Sequence, residues 1–97
     1  MIRIVKLSFK KEHVADFLIL FEERKQKIKN MEGCTHLELW QDKKEKNIFY
    51  TYSIWQQEND LENYRVSNLF QDTWSTVKQW FCDAPFAFSA DKLNEII

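Results

Sequence analysis

Two side chains capable of acid–base chemistry stand two residues apart in the segment CTHLELWQ: His36 and Glu38. On an extended strand, residues i and i+2 project from one face, so the imidazole and the carboxylate are neighbours. Histidine is the side chain whose ordinary pKa lies closest to neutrality, and an adjacent carboxylate tunes it. If their face borders a pocket, the pair can take a proton from a weakly acidic group. Lys6, on a predicted first strand, offers a cation for the anion so formed. Tyr52, Tyr64 and Trp74 offer aromatic walls against which a flat ligand would stack. The same residues have a plain structural reading: His36 and Glu38 as an interface hydrogen bond or salt bridge, Lys6 snorkelling from a rim, Tyr64 as core.

Other chemistries find little support. His13 opens a helix beside Lys11 and Glu12, and no His, Cys or carboxylate group has the spacing of a metal set. Cys34 and Cys82 read as thiols in a reducing compartment. A single glycine excludes the usual nucleotide fingerprints, and no serine sits in a nucleophile elbow. No metal and no cofactor is therefore expected.

The elements that position these residues follow from periodicity. Ile2–Phe9 alternates with period two and reads as a strand. From Glu12 the period lengthens: Val14, Phe17, Leu18, Phe21 and Ile28 form the stripe of an amphipathic helix running to about Met31. Gly33 follows, placed for a left-handed turn. Cys34–Gln41 and Ile48–Trp55 read as a hairpin around the charged loop DKKEKN. A short helix carries Leu61 and Tyr64, and Ser67 caps a second helix whose stripe is Phe70, Trp74, Val77 and Phe81. After Pro85, FAFSA reads as a last strand.

The order β-α-β-β-α-β, with the second helix split, specifies an α+β ferredoxin-like sandwich in one domain spanning residues 1–97. A chain of this length buries only about 60–65% of its unfolded surface. Yet 15% of its residues are aromatic, and the strands are apolar on both faces. An uncovered face of that kind would exceed what monomers expose, so a homodimer through the sheet, a dimeric α+β barrel, is expected. A net charge of −1 gives no case for nucleic acid. The longest apolar run, FLILF, is too short to span a bilayer, and the N-terminus lacks a signal-peptide core. A cytoplasmic protein is expected.

The segments EGC at Glu32–Cys34, IFYTYSIW ending in Trp55, and LENYRVSNLFQDTW, in that order and spacing, resemble the antibiotic biosynthesis monooxygenase domains over essentially the whole chain. The resemblance implies a small dimeric α+β barrel. Family members include cofactor-independent oxygenases of aromatic polyketides, quinol monooxygenases and haem-degrading monooxygenases. In the haem-degrading branch, a first-strand Asn, a short-helix Trp and an iron-binding His align with Lys6, Tyr64 and Trp74. Indole nitrogen is only a hydrogen-bond donor, so Trp74 cannot ligate iron, and haem degradation is disfavoured. The resemblance implies instead a cofactor-independent monooxygenase of a small aromatic or quinol substrate; the residues themselves offer His36, Glu38 and Lys6 as the candidate catalytic groups. The alternatives are a module that binds a hydrophobic small molecule without turnover, and a self-association domain of the same fold.

Overall fold

The computed structural model describes residues 1–97. Four strands, β1 (Ile2–Ser8), β2 (Cys34–Gln41), β3 (Ile48–Trp55) and β4 (Phe86–Ala90), form one antiparallel sheet in the order β2-β3-β1-β4. Helices α1 (Val14–Lys29), α2 (Glu58–Arg65) and α3 (Asn68–Val77) lie against one face of it. This is the expected α+β ferredoxin-like sandwich with its second helix split. The last strand pairs with β1 of its own chain, in the register Ile4 opposite Phe88.

The split has a local cause. Val66 ends α2, and the Ser67 hydroxyl accepts a hydrogen bond from the Phe70 N–H at 3.1 Å while donating to the Tyr64 carbonyl at 2.6 Å. One side chain thus caps the start of α3 and satisfies the end of α2. Arg24 of α1 then ties down α3, donating to the Thr73 hydroxyl at 2.8 Å and pairing with Asp72 at 2.9 Å.

Strand parity is decided by the largest buried side chains. Leu7 and Phe9 leaving β1, Phe49 and Trp55 of β3, and Phe17 and Leu20 of α1 are all buried. Phe9 stacks on Phe17 at 4.3 Å and on Phe81 at 5.3 Å, joining the sheet to α1 and to the segment after α3. The α1 stripe is rotated from the expected one. Leu20 is buried and Leu18 is 42% exposed, because FLILF is apolar all round and does not fix its own phase.

Gly33 adopts φ +83°, the left-handed turn expected of it, but the helix itself ends three residues earlier at Asn30. Its carbonyl accepts from the Gln56 N–H at 2.8 Å, pressing the turn against the start of α2. A bulge between Cys34 and His36 follows. Consequently Cys34 is buried opposite Trp55 on the helix side, whereas His36, two residues on, faces the other way.

Candidate active site

A cavity of about 340 Å3 lies between the sheet and the split helices. Its floor is Val5 and Leu7 of β1, Leu37 of β2, Thr51 and Ser53 of β3, and Ala87 of β4. Its roof is Phe17 and Phe21 of α1, Leu61 and Tyr64 of α2, and Phe70, Thr73 and Trp74 of α3. Thr51 and Ser53 create the space: they occupy helix-side positions between Phe49 and Trp55, where larger side chains would fill the gap.

The wall is a connected series of rings. Trp55 stacks on Tyr64 at 5.3 Å, Tyr64 meets Phe70 edge-on at 5.2 Å, and Phe70 stacks on Trp74 at 5.6 Å. Such contacts hold each ring in a fixed orientation, a prepared surface for a planar ligand. The Tyr64 hydroxyl is the wall's polar handle. Its pKa is pushed up to about 12, by burial first and by the neighbouring Cys34 thiol second. It therefore remains a neutral donor throughout the physiological range.

That shift has a measurable sign. Between pH 10 and 12 the unfolded chain loses this proton while the folded one keeps it, so stability falls as pH rises through that window. In an absorbance titration of tyrosinate, Tyr64 is expected to ionise near 12, and Tyr64→Phe should remove that step; a titration complete by pH 10.5 would contradict its burial.

The expected site residues divide between two faces. Tyr64 and Trp74 line the cavity. Lys6, His36, Glu38 and Tyr52 do not. Lys6 lies between Val5 and Leu7, Glu38 pairs with Tyr52, and Tyr52 lies between Thr51 and Ser53, so all project from the opposite, open face. The six residues therefore fall into two separate groups on opposite faces of the sheet. Parity is the reason: the buried Leu7, Phe49 and Trp55 claim the helix side.

On the open face His36, Glu38 and Tyr52 join Trp40 in an ordered cluster that Lys6 does not enter. Glu38 is hydrogen-bonded to His36 Nε2 and accepts from Trp40 Nε1 at 2.7 Å. Trp40 stacks on Tyr52 at 5.0 Å, and the His36 ring meets Tyr52 edge-on at 5.9 Å. The bond from His36, and then that from Trp40, holds the Glu38 carboxyl below its ordinary value of 4.5. The pair stands in solvent, with the His36 and Glu38 side chains 46% and 45% exposed.

Two charged cavity residues were not singled out by the sequence: Arg3 and Arg65. The period of the first strand places Arg3 on the face of Val5 and Leu7, whereas nothing in the pattern marks Arg65. No three His, Cys, Asp or Glu side chains converge on a position for a metal ion. No helix is long and apolar enough to cross a membrane.

With the cavity under the split helices in view, the decisive comparison is with family models. Residues 1–75 match the model described as antibiotic biosynthesis monooxygenase. The chain belongs to that family. Solved structures with the same fold include a conserved protein from Methanosarcina mazei Go1, with 22% identity and a TM-score of 0.84 over 90% of this chain and 87% of that one. A protein from Nitrosomonas europaea assigned to the antibiotic biosynthesis monooxygenases has 15% identity and a TM-score of 0.89 over 95% and 88%. Another so assigned, from Caulobacter crescentus, has 18% identity and a TM-score of 0.88 over 96% and 89%. Likeness at these identities establishes the fold. Among curated proteins no significant match is found.

Proposed function

We propose that the protein is a cofactor-independent monooxygenase of a small aromatic or quinol substrate, which binds in the cavity between the sheet and α2–α3. The observation that carries this reading is the cavity itself: about 340 Å3, walled by Tyr64, Phe70 and Trp74, in a chain of this family. That volume falls within the usual range of small-molecule sites.

The reaction needs no external reductant. The substrate's phenolic O–H loses a proton, and the resulting anion, carbanion-like at a ring C–H carbon, delivers electrons to O2 as a C–O bond forms there. The hydroperoxide so made loses water and leaves a carbonyl. One oxygen atom enters the product, the other leaves as water, and all four electrons come from the substrate. The chain's part is to hold the ring, exclude bulk water and steady the anion. Tyr64 donates to the substrate's oxygen, and Trp74 and Phe70 stack on its ring. Oxygen uptake against a panel of quinols and naphthols tests the proposal. Turnover with at least one is expected, and ligand binding with no uptake would overturn it.

That second outcome defines the alternative, a module that sequesters an aromatic ligand. One observation favours it: no Asp, Glu, His or Lys lines the cavity, so no side chain there is a ready base. A monooxygenase built this way requires a substrate that ionises readily, its proton leaving to water at the mouth.

The open face is proposed to seat a second copy of the chain. Trp40, Phe86 and Phe88 are exposed on it, an aromatic surface that a partner would cover. The Glu38 bonds fall inside such an interface. Because the carboxyl is held below its ordinary value, their contribution is present above pH 4.5 and disappears as pH falls below it. Light scattering at micromolar concentration should give twice the chain mass, and Trp40→Glu should give the chain mass with unchanged secondary structure. A monomeric parent protein would contradict this assignment.

A further inference from the structure

The charged groups of the cavity are of one sign. Arg3 and Arg65 line it, and no acidic side chain does. Arg3 rises from the start of β1, and its Nη1 donates to the Ser89 hydroxyl of β4 at 3.1 Å. It forms no ion pair; its only side-chain partner is that neutral hydroxyl. A guanidinium has five donors, so most of its capacity is free.

Arg65, at the end of α2, pairs at 3.3 Å with Glu62, a residue outside the cavity lining. Its charge is felt by Arg3. Partial burial, then repulsion from Arg65, lower the Arg3 pKa, and Glu62 offsets them only in part. Arg3 and Arg65 thus repel at the edge of an apolar space, and because Glu62 relieves this only in part, a further anion there is favoured.

Building on the cavity as the substrate site, we propose that its ligand is an aromatic anion, with the ring on the Tyr64–Trp74 wall and a carboxylate or similarly planar anionic group between Arg3 and Arg65. Guanidinium groups match planar oxyanions with two parallel hydrogen bonds, a fit that a lysine would not provide. The Ser89 hydroxyl, already bound by Arg3, fixes the fork's orientation. This placement also bears on the missing base: the two guanidinium charges offset the ligand's own negative charge and favour the further anion formed when its phenolic proton leaves.

The test is a binding comparison, independent of oxygen uptake. Trp fluorescence is titrated with 2-naphthoate, with its neutral analogue 2-naphthalenemethanol, and with cationic 2-naphthylmethylamine. Naphthoate should bind at least about tenfold more tightly than the alcohol, and the amine most weakly. Arg3→Gln and Arg65→Gln should each reduce the preference for the anion to about twofold, weakening naphthoate more than the alcohol. Arg65 is half-exposed, so its variant keeps the test decisive if Arg3→Gln fails to fold. Equal affinity of naphthoate and alcohol would overturn the anion assignment and leave the cavity reading standing. A preference that survives both variants would overturn the role of the two arginines. No binding by any of the three would overturn the cavity as an aromatic site altogether.

Discussion

Trp55→Ala should destabilise the protein by about 3–5 kcal/mol, the range for removing a large aromatic ring from a packed core. Trp55 is 1% exposed and is the largest fully buried side chain of the chain. It holds together the smaller of two core clusters, with Cys34 and Leu61 buried around it and Met1, Met31 and Tyr64 packed outside. Three losses coincide in the variant. The ring's apolar contacts go, Tyr64 loses its stacking partner, and the Ser53 hydroxyl loses the indole N–H it accepts at 2.9 Å. Neighbours cannot collapse into the space, because Trp55 already borders the cavity and the void would merge with it. For a domain whose whole stability is about 5–15 kcal/mol, the change is a large fraction. Thermal unfolding should shift down by about 15–30 °C. A shift of only a few degrees would show that the ring does not bridge sheet and α2 as described.

The second large effect is expected at Gly33→Ala, through backbone and sterics together. A residue with a Cβ at φ +83° costs about 1–2 kcal/mol. The new methyl would also stand 2.2 Å from Asp60 Cγ and 2.4 Å from Asp60 Cβ. A rotamer change moves the carboxyl but not the Cβ, so the first turn of α2 must shift. Together these should destabilise by about 2–4 kcal/mol, read from urea unfolding. Displacing α2 also displaces Tyr64 and Arg65, so ligand affinity should fall with stability. Asp60→Gly in the same chain should remove the steric part and leave the backbone part. A loss below about 0.5 kcal/mol for Gly33→Ala would contradict the turn's conformation.

The element order was legible because each element has a clear period or punctuation. Ser67 and Pro85 mark breaks whose chemistry is local, and Gly33 marks a turn only glycine adopts easily. Strand parity was not legible, because both faces of the hairpin are apolar. Ile48, Tyr50, Tyr52 and Ile54 look at least as core-like as Phe49, Thr51, Ser53 and Trp55. The second set faces the helices, and its two small hydroxyl residues leave room for a ligand. A strict hydrophobic-in rule reads those positions as solvent-facing, so a functional cavity is where such a rule fails. Lys6, His36 and Glu38 did mark a face, the open one, where charges stand free of the helices. The Cys34–His36 bulge adds a second obstacle, since it breaks the i, i+2 rule at the start of β2.

The central claim is that aromatic chemistry takes place in the cavity and not on the His36 face. Oxygen uptake with a quinol or naphthol substrate tests it, comparing the parent chain with Thr51→Trp and His36→Ala at equal folded concentration. Thr51 sits at the middle of the cavity floor, so a tryptophan there occupies the space the ligand needs. Thr51→Trp should lower the rate by about a hundredfold or more through lost substrate positioning, while His36→Ala should stay within about twofold of the parent. Full activity in Thr51→Trp together with its loss in His36→Ala would place the chemistry on the open face and contradict the account.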